Sequence, residues 1–234
     1  MSGISTEVEV LAFDVFGTVV DWHGSICREV KTLGLAVDAA DFARSWRDGY
    51  QPAMQRVRSG ELGWTKIDAL HRMILDQVID DYNLQLDEAR RVQLNAVWHR
   101  LDPWPDVVEG LQNLKSAYSI CTLSNGNLAL LANMAKYAAL PWDLILSAEV
   151  FKAYKPDKES YLGVAEVYGV PPEKVMLVAA HQSDLDAARQ YGLRTAYIER
   201  PFEHGADQIK DVTADESNDF HARDFADLAD QLIS

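Results

Sequence analysis

The stretch VEVLAFDVFGTVV, residues 8–20, contains an apolar run that from Val10 onward is interrupted by one acid, one glycine and one threonine. Apolar residues at consecutive positions are typical of a strand that is buried on both faces. Asp14 stands in the middle of this run, and burying a lone carboxylate is costly unless another group compensates its charge. We therefore expect Asp14 to be either paired with another group or used for chemistry.

The composition excludes several classes of protein. The 234 residues are 48% hydrophobic and 25% charged, as in an ordinary globular protein. A formal net charge of −14 argues against a nucleic-acid or anionic-membrane surface, but local Arg and Lys side chains can still bind a small anion. No apolar run approaches the ~20 residues that span a membrane, and the N-terminus MSGISTEVEV lacks a signal-peptide pattern. Cys27 and Cys121 form neither a metal-type spacing nor a disulfide framework. The sequence thus predicts a cytoplasmic protein.

Short apolar runs alternate with helical patterns along most of the chain. Helical stretches such as NLALLANMAKYAAL, ESYLGVAEVYG and DLDAARQYG follow the later runs. Such alternation predicts an α/β fold with a doubly wound parallel sheet. The predicted strands are EVLAFDVF, YSICTLS, DLILS, KVMLVAA and RTAYI. The acidic tail is predicted to end in one amphipathic helix.

Residues 22–102 interrupt this alternation. Three stretches, DFARSWRDGYQPAMQRV, TKIDALHRMILDQVIDDYNL and LDEARRVQLNAVWHRL, carry apolar residues at helical spacing. We therefore predict an α/β core domain of residues 1–21 and 103–234, and an all-helical cap of residues 22–102 inserted after the first strand. Hinges are expected near residue 21 and within DPWPD, residues 102–106.

Polar residues follow the ends of several predicted strands. Ligands of open α/β sheets bind outside the carboxyl ends of the strands, so we expect these residues to share one site. They are Asp14, Thr18, Ser124, Asn125, Lys155 and Asp184. Taken singly, each residue has an ordinary alternative as a turn, cap or solvated residue. The agreement of four loops favours a functional site.

Four motifs in this order resemble the loops of the haloacid dehalogenase superfamily: DVFGT (14–18), LSN (123–125), YKPD (154–157) and AAHQSD (179–184). Magnesium-dependent phosphatases of that superfamily usually have an Asp where this chain has Phe16 and a Gly-Asp pair where it has Ala179 and Ala180. Phe16 and SWRDGYQ instead resemble the (S)-2-haloacid dehalogenase branch. That resemblance implies a small anionic 2-haloacid substrate, no cofactor and no metal.

The resemblance also implies roles for residues. Asp14 would displace the halide and form an aspartyl ester, which water would hydrolyse to an (R)-2-hydroxy acid. Thr18 and Ser124 would orient the Asp14 carboxylate, and Lys155 would hold its charge nearby. Asp184 would position Lys155 or activate the water. The expected halide- and substrate-binding residues are Arg47, Asn125, Phe16, Trp64, Tyr161 and His181.

Two of these residues bear on which halide leaves. His181 stands where the branch often has a smaller amide, and Trp64 is larger than an apolar wall requires. Both side chains favour a contracted pocket, so we expect measurable turnover of fluoroacetate.

Two other functions compete with dehalogenation. One is a magnesium-dependent phosphatase of the same superfamily, and the other is a non-catalytic scaffold that binds a metabolite or partner. The sequence predicts no nucleic-acid or membrane partner, and a homodimer is a possible assembly.

Overall fold

Strands and helices alternate through residues 7–233, which are the residues that the computed structural model describes. Residues 1–6, which begin the segment without a signal-peptide pattern, lie outside this range. The strands are β1 (Val10–Phe13), β2 (Val20–Asp21), β3 (Asp102–Pro103), β4 (Ser119–Ser124), β5 (Leu144–Ser147), β6 (Val175–Ala179), β7 (Arg194–Ile198) and β8 (Phe220–Ala222). The helices are α1 (Trp22–Thr32), α2 (Ala39–Asp48), α3 (Tyr50–Arg58), α4 (Ile67–Asp81), α5 (Glu88–Asn95), α6 (Val107–Lys115), α7 (Leu128–Tyr137), α8 (Ala148–Phe151), α9 (Lys158–Tyr168), α10 (Gln182–Gln190) and α11 (Phe225–Ile233). Short 3-10 helices lie at Ala96–His99 and Pro172–Lys174.

Six parallel strands form the main sheet in the order β5-β4-β1-β6-β7-β8. Strand β1 is central, with Val10 paired to Ser119 of β4 on one side and to Val175 of β6 on the other. Strands β4 and β5 therefore lie on one side of β1, and β6, β7 and β8 lie on the other. Open α/β sheets bind their ligands at such a point, where the strand order changes direction. This order confirms the predicted doubly wound parallel sheet.

The two faces of β1 belong to two different hydrophobic cores because side chains alternate along a strand. Leu11 and Phe13 lie in one buried cluster with residues of α6, α7 and α11. Val10 and Ala12 lie in the other, with residues of α9 and α10. Helices therefore cover both faces, which explains why β1 is apolar at every position.

Between β2 and β3 the regular structure is helical. These two short strands pair antiparallel, Val20 with Pro103 and Asp21 with Asp102, so both ends of the inserted segment leave the sheet side by side. The buried apolar residues of α1, α2, α3 and α4 belong to the same hydrophobic cluster as the first face of β1. The division into a core domain and a cap stays a prediction.

Two details of the structure differ from the sequence predictions. The stretch DFARSWRDGYQPAMQRV forms two helices, α2 and α3, which meet at Gly49. A Cβ atom at Gly49 would lie 2.4 Å from a methyl group of Ile74, so a glycine at this junction lets α4 pack closely against it. The acidic tail ends in helix α11, as predicted, but it also contributes β8, which extends the sheet beside β7.

No helix within residues 7–233 is long and apolar enough to cross a membrane.

Candidate active site

Asp14 lies immediately after β1, at the carboxyl edge of the sheet. Its backbone N–H donates to Val178 O at 3.0 Å, which continues the pairing with β6. The chain then turns at Gly17, whose φ of +88° favours glycine. A Cβ atom there would also lie 2.2 Å from Glu203 Oε1, so the glycine leaves room for a carboxylate beside the turn.

The two oxygens of Asp14 have different hydrogen-bond donors. Lys155 Nζ donates to Oδ1 at 2.9 Å. Thr18 Oγ1 donates to Oδ2 at 2.7 Å, and His181 Nδ1 lies 3.1 Å from the same oxygen. Burial alone would raise the pKa of Asp14, but the charge of Lys155 and the hydrogen bond and charge of His181 outweigh it, so the pKa lies far below its usual value. Asp14 is therefore an oriented, ionised carboxylate.

Lys155 joins Asp14 to a second carboxylate. Its ammonium group also donates to Asp184 Oδ2 at 2.5 Å, and Tyr161 donates to Asp184 Oδ1 at 2.7 Å. The Lys155 backbone N–H donates to Asn125 Oδ1 at 2.8 Å, which connects the loops after β4 and β5. Burial would lower the pKa of Lys155, but the two carboxylates raise it above its usual value. The ammonium group stays charged.

A histidine–glutamate pair contacts the other side of the Asp14 carboxylate. His181 Nε2 lies 2.7 Å from Glu203 Oε1, and Lys210 Nζ donates to Glu203 Oε2 at 2.8 Å. Burial would lower the pKa of His181, but the charges of Glu203 and Asp14 and the hydrogen bonds to them raise it to about 9. Burial would raise the pKa of Glu203, yet His181 and Lys210 hold it far below its usual value. Both members of the pair are thus charged at neutral pH.

A cavity of about 490 Å³ opens above the Asp14 carboxylate, and two arginines from the helical segment line it. The Arg47 guanidinium lies 4.1 Å from the centre of the Tyr50 ring, a cation–π distance. Asn125 also hydrogen-bonds the Tyr50 hydroxyl, and burial is the main cause that raises the pKa of Tyr50 to about 12. The lining residues are Asp14, Phe16, Arg47, Tyr50, Gln51, Arg58, Asn125, Lys155, Pro156, Tyr161, His181, Ser183 and Asp184.

Most of the predicted site residues meet at this cavity. Its lining includes Asp14, Phe16, Arg47, Asn125, Lys155, Tyr161, His181 and Asp184. Thr18 lies behind Asp14 and donates to it. Ser124 differs from the prediction, because its hydroxyl accepts from the backbone N–H of Gly126 instead of orienting the Asp14 carboxylate.

Trp64 is a correction, because it does not line the cavity. Its ring stacks on Tyr154 with centroids 5.0 Å apart, and Lys152 Nζ lies 5.3 Å from the Trp64 ring centre. Trp64 therefore packs where the helical segment meets the loop before Lys155. It gives no support to the expectation of a contracted halide pocket.

Sequence reasoning missed several residues of the site, among them Tyr50, Arg58 and Glu203. Tyr50 and Arg58 stand eight positions apart in α3, which is helical spacing, so the two share a face of that helix, but Arg47 belongs to α2 and gave no spacing signal for them. Glu203 had no local signal, because its position depends on the path of the chain after β7.

The positions that hold magnesium and general acid in related phosphatases are occupied differently here. Phe16 is buried and contacts the Trp98 ring edge-to-face at 5.6 Å. Ala180 donates its backbone N–H to Thr18 Oγ1 at 2.9 Å and accepts from Lys210 Nζ at 2.5 Å. In the part of the chain that the structure describes, no group of three or more His, Cys, Asp or Glu residues is arranged to hold a metal ion.

Known proteins share this fold and sequence pattern. A family model described as haloacid dehalogenase-like hydrolase matches residues 8–192. The chain is 30% identical over 199 residues to (S)-2-haloacid dehalogenase 4A of Burkholderia cepacia, covering 80% of this chain and 81% of that protein. It superposes on the crystal structure of L-2-haloacid dehalogenase PA0810 with a TM-score of 0.93 and 43% identity, covering 97% and 99% of the two chains. The defluorinating L-2-haloacid dehalogenase Rha0230 gives a TM-score of 0.93 at 44% identity, covering 97% and 96%.

Proposed function

The chain belongs to the haloacid dehalogenase-like hydrolases, in the (S)-2-haloacid dehalogenase branch, and we propose that it hydrolyses short (S)-2-haloalkanoic acids to (R)-2-hydroxy acids and halide. The observation that carries the proposal is the ionised Asp14 carboxylate beneath a cavity lined by Arg47. An anionic substrate finds positive charge there, and its carbon can approach an oriented nucleophile.

In the first step an oxygen of Asp14 attacks the carbon that bears the halogen, opposite the carbon–halogen bond. The carbon–oxygen bond forms as the halide leaves with the bonding electron pair, so the carbon is inverted and Asp14 becomes an ester. Halide departure needs no proton, so Phe16 in place of an acid is compatible with this step. Arg47 and Asn125 are the proposed donors to the departing halide, because both line the cavity.

In the second step water attacks the carbonyl carbon of the Asp14 ester and releases the 2-hydroxy acid. Asp184 is the proposed base or the residue that positions Lys155. It is held by the Lys155 ammonium and the Tyr161 hydroxyl, which fix its two oxygens. Water attacks the protein carbonyl and not the substrate carbon, so the single inversion of the first step is preserved.

We also propose that fluoroacetate is a substrate. Support comes from the 44% identity to a defluorinating L-2-haloacid dehalogenase and from the His181 ring in the cavity lining. Fluoride is small and a strong hydrogen-bond acceptor, so a pocket narrowed by an imidazole brings donors closer to it. Fluoride release should be measured beside chloride release from chloroacetate and (S)-2-chloropropionate. Fluoride release at the background rate, with brisk chloride release from the same preparation, would reject this substrate.

Two measurements separate dehalogenation from the competing functions. Chloride release from (S)-2-chloropropionate in the presence of EDTA is expected, whereas a phosphatase would release phosphate only with magnesium. Mass spectrometry after rapid quenching should find a substrate-derived mass on the peptide that contains Asp14. A non-catalytic scaffold would show neither chloride release nor the added mass.

The Asp14→Asn variant tests the nucleophile directly. The amide has nearly the same shape but is a poor nucleophile, so turnover should be lost while the protein stays folded. Circular dichroism and thermal unfolding check the fold, and mass spectrometry excludes deamidation back to Asp. A freshly purified, undeamidated variant that keeps near-normal rates would contradict the mechanism.

The helical segment of residues 22–102 is proposed to act as a cap that covers the bound substrate. It contributes Arg47, Tyr50 and Arg58 to the cavity lining. Arg58 Nη1 also donates to Lys155 O at 3.2 Å, so the segment touches the loop that carries the catalytic lysine. A cytoplasmic location and a homodimer stay predictions.

A further inference from the structure

We propose that His181 and Glu203 form an oxyanion-stabilising pair for hydrolysis of the ester, in which Glu203 is a positioning residue and His181 donates from Nδ1 to Asp14 Oδ2. This inference rests on the proposed dehalogenase function and deepens it. The four motif loops supply Asp14, Lys155 and Asp184, but none of them supplies Glu203. A buried glutamate in contact with the ring that touches the nucleophile has no role in the mechanism so far.

The two ring nitrogens of His181 constrain its protonation state. Glu203 Oε1, an acceptor, lies 2.7 Å from Nε2, so Nε2 carries a proton. Asp14 Oδ2, also an acceptor, lies 3.1 Å from Nδ1. A neutral imidazole has one N–H and one lone pair, so it would direct that lone pair at one carboxylate. Only the imidazolium ion can donate to both.

Glu203 is held in place on all sides. Its side chain is 1% exposed, Lys210 donates to Oε2, and the Trp22 indole N–H donates to Oε1 at 3.3 Å. The missing side chain at Gly17 gives the carboxylate its space beside the turn after Asp14. A buried carboxylate is costly unless it is paired with a cation. Glu203 is paired with His181 and Lys210.

The charges that face His181 come from several elements. Asp14 after β1 and Glu203 after β7 are the anions in contact with the ring. Lys155 and Lys210 contact those two anions, and Arg47 and His204 are the other basic groups nearby. Burial lowers the pKa of His181, but the two direct contacts together outweigh burial and raise the pKa to about 9.

Glu203 matters most after the first half-reaction. When Asp14 Oδ1 forms the ester bond, Asp14 loses its negative charge and Glu203 is the anion that remains in contact with His181. A neutral residue in place of Glu203 would let the imidazolium lose its proton at this stage. The glutamate therefore keeps the Nδ1–H donor present while water attacks.

The donor acts on the oxygen where negative charge develops. Water adds to the carbonyl carbon of the ester, and the electron pair of the carbonyl bond moves to Oδ2. Thr18 Oγ1–H and His181 Nδ1–H both point at that oxygen. The intermediate collapses by breaking the bond between that carbon and Oδ1. One proton of the water passes to the departing 2-hydroxy acid, and the other is released to solvent as Asp14 returns to a carboxylate. His181 keeps its proton throughout, and losing one such donor costs about 10²–10³-fold in rate.

The test is the Glu203→Gln variant, whose amide oxygen can still accept from Nε2–H but carries no charge. With (S)-2-chloropropionate we expect a near-normal burst of chloride, accumulation of the Asp14 ester by mass, and steady-state turnover slowed by about 10²-fold at pH 8. The alkaline limb of the kcat profile should move by at least about one pH unit to lower pH, so that activity recovers near pH 6.

The control is Glu199→Gln, which removes the charge from a different His–Glu contact. In that contact His221 Nε2 lies 2.8 Å from Glu199 Oε1. Its kcat profile should match that of the wild type. The proposal would be overturned if the alkaline limb of the kcat profile of Glu203→Gln lay at the wild-type pH. It would also be overturned if the chloride burst slowed by the same factor as steady-state turnover.

A second measurement does not depend on how the variant folds. The His181 ring should titrate near pH 9 in the wild-type protein by NMR, and a ring that titrates near 6.5 would reject the pair. Wild-type protein that releases no halide would reject the dehalogenase function itself. Halide release with an unchanged profile in the variant would reject the pair alone.

Discussion

Replacing Lys155 by Met tests how the buried charges at the site are balanced. The Lys155 side chain is 8% exposed, and its ammonium group lies 2.9 Å from Asp14 Oδ1 and 2.5 Å from Asp184 Oδ2. Methionine fills a similar volume without charge. The variant therefore leaves two carboxylates, each 10% exposed, without the cation that they share.

The expected loss of stability is large. Removing one partner of a buried ion pair costs about 3–5 kcal/mol, because the remaining charge stays buried and uncompensated. Asp14 keeps its contacts to Thr18 and His181, and Asp184 keeps Tyr161, so the loss should stay within that range. For a chain of this length it corresponds to a drop in Tm of roughly 6–20 °C. Turnover should be lost at the same time.

Urea unfolding at pH 7, followed by the fluorescence of the six tryptophans, measures the change. The control is Lys174→Met, which removes a partly exposed lysine 3.2 Å from the exposed Glu9 and should cost less than about 1 kcal/mol. Adding Asp14→Asn to the Lys155 variant removes one of the two carboxylates and should recover about 1 kcal/mol or more. A Lys155→Met loss equal to that of the control, or no recovery in the double variant, would refute the reasoning.

Three further predictions concern the same site. Arg47→Ala should slow single-turnover halide release by about 10²-fold or more, whereas Arg44→Ala, one helical turn earlier, should not. Equal rates in the two variants would show that Arg47 does not act in halide release. The pKa of His181 is raised in the folded protein, so its stabilisation is complete below about pH 6.5 and lost as the pH rises through about 9. Urea unfolding should therefore show a fall of about 2–4 kcal/mol over that range that is absent in His181→Gln, and parallel curves would contradict it. Gly17→Ala should destabilise the protein by about 1–3 kcal/mol, because its φ is +88° and the new Cβ would meet Glu203; an unchanged Tm would show that the turn relaxes.

The sequence predicted the strands of the sheet well where they are buried on both faces. Strands β1 and β6 are apolar at every position, and short runs of this kind between turn residues are typical of central strands in a parallel sheet. Strand β8 was missed because Phe220–Ala222 is a three-residue edge strand in an acidic tail, whose pairing with β7 depends on tertiary contacts. The break between α2 and α3 was missed because apolar residues recur at helical spacing on both sides of Gly49, so the pattern did not separate two helices.

The sequence predicted those site residues that come directly after the end of a strand. Asp14, Asn125 and Asp184 meet because the carboxyl ends of parallel strands share one edge of the sheet. Glu203 does not directly follow the end of a strand. It reaches the site because the loop after β7 folds back, and no spacing in the sequence indicates that. Trp64 was misplaced because its ring direction depends on the packing partner Tyr154, which sequence patterns do not reveal.

The register of β1 has a consequence for how the chain folds. Val10 pairs with Ser119 and Val175, so the strand that leads to Asp14 is made early and its two partner strands are made much later in synthesis. Contacts that distant in sequence close slowly, whereas the helices between β2 and β3 form from local contacts. The Asp14 carboxylate can therefore meet Lys155 and His181 only after those later segments have been synthesised. A chain stopped before Val175 would leave one edge of β1 unpaired and open to pairing with another molecule.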